Sequence, residues 1–196
     1  RLLSLPIDHL SAYILTIEPR TVLGHQVQHG KQVISTAESI ALEYAFLCEQ
    51  TQRAGFEHYE VSNFARPGGH ALHNQHYWSG VPYWGIGPGA HAHSAGTRSW
   101  NLKHPAAWAA RVDDGVSAIA DSEILAIEDV KHEDIMLGLR LREGLPLTSL
   151  GEAGLTQAEL AVSEGLLVPQ EFANGKAVLT FQGRLLADGL VARLWA

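Results

Sequence analysis

Cysteine is almost absent from this chain of 196 residues, which contains Cys48 alone. One thiol cannot form an intramolecular disulfide, and it cannot supply the roughly three or four thiolates that hold an iron–sulfur cluster. Because free cysteine is among the most buried residue types, we interpret Cys48 as a small apolar residue on a helix. The sequence therefore excludes a disulfide-rich domain and a cysteine-ligated cluster built by this chain alone.

Long apolar runs are also missing. No stretch approaches the roughly 20 uninterrupted apolar residues that a membrane-spanning helix needs, and no N-terminal segment has the pattern of a secretory signal peptide. We therefore expect a cytoplasmic protein with no membrane segment. Methionine occurs once, as Met136, and the sequence begins at Arg1. Because translation usually starts at methionine, we expect the chain to be a fragment of a longer protein.

A surplus of positive charge is missing as well, since the formal net charge is −7. Residues 1–104 contain 7 Lys and Arg against 7 Asp and Glu, whereas residues 105–196 contain 7 against 14. Proteins that bind nucleic acid neutralise phosphates with clustered Lys and Arg. The charge therefore argues against nucleic acid as a partner, and against a DNA-binding winged-helix regulator as the function of the C-terminal part.

The N-terminal part of the chain has a strand–helix–strand pattern with short links. An apolar run at residues 9–17 predicts a buried strand, and Ser35 with Glu38 predicts a capping box at the start of a helix that Gly55 ends. Residues 58–64 predict the second strand. Such a crossover implies parallel strands. It would leave an unpaired sheet edge that favours pairing with a second chain, so we also expect a dimer.

The C-terminal part predicts a small domain with a winged-helix-like α+β arrangement. Pro105 suits the first turn of a helix, and acidic residues mark the start of another helix over residues 128–141. Asn174-Gly175 predicts a tight hairpin, and a last helix over residues 183–194 would bury three residues, namely Leu186, Leu190 and Leu194. We predict an α/β chain with one domain at residues 1–104 and a second at residues 105–196.

Histidine is abundant in one part of the chain. Of the 11 histidines, seven fall within residues 58–104, and neutral imidazole is the commonest metal ligand. His70, His73 and His76 recur at every third position, but no His-Glu-x-x-His motif accompanies them, so a zinc-protease site is poorly supported. Two interpretations remain open besides a zinc site. These histidines are either polar loop residues near a pocket, or part of a more specific site.

The more specific candidate is the segment His-Asn-Gln-His-Tyr-Trp at residues 73–78. In a helical turn, His73 and Tyr77 would share one face, and the imidazole with the rings of Tyr77 and Trp78 would suit a flat aromatic ligand that contains iron. The alternative is a packing turn in which Asn74 bonds the backbone and Trp78 fills the core.

A glycine-rich turn follows an apolar strand at residues 83–90. Gly85, Gly87 and Gly89 would let the backbone approach a ligand closely and leave amide groups free to bind it. The spacing is neither a dinucleotide-binding fingerprint nor a phosphate-binding loop. An ordinary tight turn is the alternative.

Six segments, in order and at matching spacing, resemble landmarks of the oxygen-independent coproporphyrinogen III oxidase-like radical S-adenosylmethionine (SAM) family. They are residues 8–19, 55–67, 73–78, 85–91, 136–145 and 179–188. The resemblance covers nearly the whole chain. The His-Asn-x-x-Tyr-Trp motif is similar to that of the family's haem-chaperone branch, and it implies haem as ligand with His73 as the iron ligand beside Tyr77 and Trp78.

The resemblance also implies a fold and further cofactors. The fold would be the C-terminal part of a partial (β/α) barrel that opens onto SAM and a 4Fe-4S cluster, followed by the small domain. The strand end at Leu15 and Thr16 and the turn at Gly87, Gly89 and Ala90 would face the nucleoside of SAM. The family's Cys-x3-Cys-x2-Cys cluster motif has no counterpart in this sequence, so we assign no catalytic residue and expect no radical chemistry from this chain alone.

The function that the resemblance implies is a cytoplasmic haem chaperone that delivers haem to client proteins, which include membrane-associated ones. The alternative is a coproporphyrinogen III oxidase, which carries out an oxidative decarboxylation in porphyrin biosynthesis.

Overall fold

A computed structural model describes residues 2–195, which form two compact units, residues 2–71 and 72–195. No helix within the described range is long and apolar enough to cross a membrane. Besides a 3₁₀ turn at Leu2–Ser4, the first unit contains β1 (His9–Ser11), α1 (Val22–Gln28), α2 (Ala37–Arg53), β2 (Glu57–His58) and β3 (Asn63–Ala65).

The sheet of the first unit is antiparallel, so the predicted parallel crossover is wrong. The strand order is β1-β3-β2, and both outer strands run antiparallel to β3. The segment 58–64 is a hairpin rather than one strand, because the chain reverses between Tyr59 and Asn63. The carboxylate of Glu60 stabilises this reversal by accepting a hydrogen bond from the Ser62 amide at 3.3 Å. The predicted first strand is also shorter, since residues 12–18 have no regular structure.

The core of the first unit lies between α2 and this sheet. Phe56, Tyr59 and Phe64 are all buried there, and burial raises the pKa of Tyr59 above its usual value. Arg66 links the surrounding segments: its guanidinium lies over the Phe56 ring and donates a hydrogen bond of 3.1 Å to the carbonyl of Ala54. Because Ala54 caps the C-terminus of α2, Arg66 joins that helix end to β3.

Helix α2 begins one residue later than the sequence pattern predicts. The N-cap is Thr36, whose hydroxyl accepts a hydrogen bond from the Ser39 amide at 3.2 Å. Gly55 follows the helix with a positive φ, which confirms its predicted role in ending it.

The capping geometry predicts different effects for two neighbouring hydroxyl residues. Thr36→Ala should lower the free energy of unfolding by about 1 kcal/mol, because it removes an N-cap acceptor. Ser35→Ala, the matched control, should change it by less than about 0.5 kcal/mol. Urea unfolding of both variants measures the difference. Equal losses, or a larger loss for Ser35→Ala, would contradict Thr36 as the cap.

The second unit contains seven helices and five strands among its described residues. They are α3 (Leu72–Trp78), β4 (His91–Ser94), β5 (Thr97–Asn101), α4 (Pro105–Asp113), β6 (Ile119–Ile124), α5 (Ile127–Gly138), β7 (Leu145–Pro146), α6 (Glu152–Ser163), α7 (Pro169–Ala173), β8 (Lys176–Ala177), α8 (Phe181–Leu185) and α9 (Ala187–Leu194). Strands β4, β5 and β6 form one antiparallel sheet, in that order. This sheet includes residues on both sides of position 104, and a domain boundary at 104 remains a prediction.

A compact hydrophobic core joins the helices that follow the sheet. Leu139 after α5, Ala158 and Ala161 of α6, and Leu190 and Leu194 of α9 are almost fully buried in it. The predicted burial of Leu186 is wrong, because the last helix is interrupted there and Leu186 is half exposed.

The predicted tight hairpin is also modified. A short helix, α7, separates its two arms, which meet in an antiparallel bridge between Leu167 and Leu179. Pro169 explains the difference, since proline at the first helical position favours a helix over a two-residue turn. Helices combined with small sheets give the α/β class that the sequence predicts.

Candidate functional site

The helical turn predicted around His73 exists as α3, Leu72–Trp78. His73 and Tyr77, one turn apart, share a face as predicted, and their rings make an edge-to-face contact with centroids 4.8 Å apart. Both side chains are exposed, and Tyr77 retains 41% of its accessible surface. Trp78 is half-buried, so it does not fill the core as the packing alternative requires. The His73 imidazole is therefore available to a ligand.

A chain of aromatic rings continues from this helix to the sheet of the same unit. The Tyr77 ring meets the Tyr83 ring edge to face at 4.6 Å, and the Tyr83 ring lies 6.2 Å from that of His93 on β4. Tyr83 and His93 are also paired through two backbone hydrogen bonds of 2.8 and 3.0 Å. Tyr83 and His93 were not predicted as neighbours of the motif. The sequence feature that could have indicated them is the position of Tyr83 and His93, ten residues apart, on the two sides of the glycine turn.

The glycine-rich turn lies between Tyr83 and β4. A Cβ atom at Gly85 would lie 2.5 Å from the carbonyl oxygen of His91, and Gly87 and Gly89 have positive φ, so all three positions require glycine. The apolar strand predicted to enter this turn is reduced to the bridge at Tyr83. Beside these glycines, Trp84 and Ile86 each expose 88% of their surface.

Asn101, which carries no sequence motif of its own, holds the turn in place. Its side-chain amide donates hydrogen bonds to the carbonyls of Gly85 at 3.1 Å and Gly87 at 2.9 Å, and its backbone amide donates to Ala90. The Asn101 side chain therefore fixes the predicted SAM-facing residue Gly87 relative to β5, and its backbone amide fixes Ala90.

Removing the Asn101 amide should loosen the glycine turn. Asn101→Ala leaves two carbonyls without their donor, and we expect the free energy of unfolding to fall by about 1–3 kcal/mol. Asn174→Ala, an exposed asparagine at the end of α7, is the control and should cost less than about 0.5 kcal/mol. Amide exchange at Gly87 and Ala90 should be faster only in Asn101→Ala. Unchanged exchange and stability would show that the turn does not depend on this side chain.

Three other histidines, His58, His70 and His91, make local contacts. In the first unit, His70 bonds the carboxylate of Glu57 at 3.2 Å and stacks on Tyr59, while His58 stacks on Phe64. In the second, His91 stacks on Trp100, its partner across the sheet. Residues 2–195 contain no cluster of three or more histidine, cysteine or acidic side chains that could hold a metal ion. The arrangement therefore offers no support for the zinc alternative.

Ion pairs of Arg98 link the sheet of β4, β5 and β6 to α5. Arg98 of β5 pairs with Glu123 of β6 at 3.1 Å and with Glu133 of α5. The hydrogen bond to Glu133 and the charges of both carboxylates raise the pKa of the Arg98 guanidinium. This triad joins the sheet that carries His91 and His93 to the helical core.

The other predicted SAM-facing residues lie in the first unit, after β1. Leu15 and Thr16 are exposed within the irregular segment 12–18, and Leu15 lines an apolar cleft of about 460 Å³ together with residues of α1 and α2. Thr16 is not among its lining residues. The assignment of Leu15, Thr16, Gly87, Gly89 and Ala90 to SAM remains a prediction.

The chain is similar in sequence to proteins described as haem chaperones. It is 41% identical over 188 residues to the haem chaperone HemW of Mycobacterium tuberculosis, covering 96% of this chain and 47% of that protein. It is 31% identical over 194 residues to the HemW of Bacillus subtilis, covering 95% of this chain and 50% of the relative. The chain thus spans about half the length of these curated relatives. No profile of a known protein family matches it.

A solved structure supports the fold independently. The coproporphyrinogen III oxidase of Escherichia coli, HemN, described as a radical SAM enzyme, superposes with a TM-score of 0.70 at 16% sequence identity. The match covers 98% of this chain and 49% of that one. At this identity the likeness concerns the fold alone. It confirms the predicted class, a part of a radical SAM barrel followed by a small domain.

Proposed function

We propose that this chain binds haem through His73. The chain belongs to the haem-chaperone branch of the coproporphyrinogen oxidase-like radical SAM family and corresponds to the C-terminal part of such proteins. The complete protein would then hand this haem to client haem proteins in the cytoplasm, membrane-associated ones included. The observation that carries the proposal is the contact between the exposed His73 imidazole and the Tyr77 ring on α3.

The donor chemistry of α3 suits haem as a cargo. A neutral imidazole is a common axial ligand of haem iron, and the Tyr77 and Trp78 rings next to it provide aromatic surface for a porphyrin plane. None of the residues of α3 is fully buried. A carrier has to release its cargo, and an open site with one histidine ligand suits release better than an enclosed pocket does.

The 4Fe-4S cluster that accompanies SAM in the family needs thiolate ligands, which this chain does not supply. Cys48 is its single cysteine and lies on α2 within hydrogen-bonding distance of His58, at 3.9 Å, so the chain's own thiols do not fit a 4Fe-4S cluster. We therefore derive no radical step from these residues. Their proposed contribution is the binding of haem.

The experiment that tests the proposal is a haem titration of the complete protein followed through the Soret band, with an anaerobic coproporphyrinogen III decarboxylation assay beside it. We expect saturable binding of one haem per chain and no consumption of coproporphyrinogen III. Decarboxylation without saturable haem binding would favour the oxidase alternative and overturn the proposal.

A further inference from the structure

Helix α3, which carries His73, is too short to hold its own orientation. It has seven residues, and isolated helices shorter than about 12–15 residues are marginal in water. A short helix of this kind depends on packing against neighbouring structure. For the face that carries His73 and Tyr77, this neighbour is Tyr83, whose ring meets that of Tyr77 at an angle of 74°.

Tyr83 is itself attached to a rigid element. Its backbone forms two hydrogen bonds with His93, and His93 lies in β4, which pairs with β5 over four residue pairs. The ring of Tyr83 is therefore held between the sheet on one side and α3 on the other. Its neighbour Gly85, which approaches the His91 carbonyl closely, keeps this segment against the sheet.

We propose that Tyr83 is the positioning residue of the haem site, because its ring holds the Tyr77 ring, and through it the His73 imidazole, in one orientation. This inference rests on the proposed role of His73 in haem binding. Tyr83 is not itself a ligand in this arrangement. The two edge-to-face contacts, His73 with Tyr77 and Tyr77 with Tyr83, have interplanar angles of 76° and 74°, the geometry that aromatic pairs prefer.

The contacts that carry the proposal are made by the ring of Tyr83, which makes the conservative variant informative. Tyr83→Phe keeps the ring and its edge-to-face geometry. Tyr83→Leu has an apolar side chain but removes the aromatic contact. If the leucine variant does not fold, Tyr83→Met, which has an unbranched side chain, is used in its place. Trp195→Leu is the matched control, because it removes a second ring packed on a histidine of the same unit, His132, at 5.0 Å.

The test is a haem titration of the complete protein and these variants, with the Soret position and the electron paramagnetic resonance spectrum of the ferric complex recorded. Tyr83→Leu should weaken haem binding by about tenfold, as expected for the loss of one aromatic contact. It should also broaden the resonance signals, since an imidazole without fixed orientation gives several ligand geometries. Tyr83→Phe and Trp195→Leu should match the wild type in both readouts.

His73→Ala, measured in the same series, separates this inference from the function on which it rests. If His73→Ala loses haem and Tyr83→Leu matches the wild type, the positioning role is overturned and the haem site stands. If Tyr83→Phe behaves like Tyr83→Leu, the hydroxyl rather than the ring matters, which also overturns it. If His73→Ala binds haem like the wild type, the proposed function itself fails.

Discussion

Haem binding should weaken by about 100-fold when His73 is replaced by alanine. The loss of a hydrogen-bonded neighbour of a metal ligand already costs about 10–100-fold in affinity, so removal of the ligand itself should reach the upper end of that range. The aromatic surface of Tyr77 and Trp78 remains in this variant. We therefore expect weak residual binding with a shifted Soret band, measured by titration of the complete protein with haem.

His76 provides the matched control for this substitution. It lies on the same short helix, is exposed like His73, and is three residues away. His76→Ala should bind haem with wild-type affinity and spectrum, whereas the double variant should lose any residual binding that His76 supports in His73→Ala. Identical titrations for the wild type and both single variants would remove His73 as the ligand and return the motif to a packing role.

The helical core of the second unit should be very sensitive to the loss of side-chain volume. Leu139, directly after α5, is fully buried in it. Leu139→Ala removes buried apolar atoms and leaves a cavity, so the free energy of unfolding should fall by about 2–5 kcal/mol. Chemical denaturation followed by circular dichroism measures this loss.

Leu160→Ala is the control for Leu139→Ala. Leu160 lies on α6 of the same unit but exposes 48% of its surface, so its replacement should cost less than about 1 kcal/mol. Losses of equal size for the two variants would mean that the core is not centred on Leu139.

Local signals in the sequence predicted several helix ends, although they did not predict α7 or the interruption of the last helix at Leu186. Pro105 does start α4, as its fixed φ and missing amide hydrogen suggest, and Gly55 follows α2 with the positive φ that glycine tolerates. Helix α3 was also predictable, because the spacing of His73 and Tyr77 places them on one face. These features depend on residues close together in the chain.

The strands were predicted less well, because their pairing depends on distant partners. Residues 58–64 have the composition of one strand, but a hydrogen bond from the Ser62 amide to Glu60 reverses the chain and gives an antiparallel hairpin. A hydrogen bond from a backbone amide to a carboxylate two residues away is not evident from the composition of the segment. The antiparallel partner of that hairpin, β1, lies about fifty residues earlier, and local pattern does not show it.

The sequence motif of the candidate haem site was predictable, but the contacts among its side chains were not. The residue types at 73, 77 and 78 suggest an iron ligand beside aromatic rings. The contact between Tyr77 and Tyr83 depends on the path of the connecting residues 79–82 and on the pairing of Tyr83 with His93. Asn101, which fixes the glycine turn, is sixteen residues from Gly85 along the chain. Contacts between residues in different elements explain why Tyr83 and Asn101 emerge from the structure alone. A dimer, also expected from the sequence, remains a prediction.

Rescue of a ligand-deleted site by free imidazole tests directly whether His73 binds the haem iron. In the complete protein, His73→Gly removes the proposed axial ligand and leaves space beside Tyr77 that a small molecule can fill. If His73 binds haem iron, added imidazole should restore the wild-type Soret position and resonance spectrum in His73→Gly, and should leave His76→Gly, already wild-type in both, unchanged. A His73→Gly variant whose haem spectrum matches the wild type without imidazole would show that His73 is not the axial ligand.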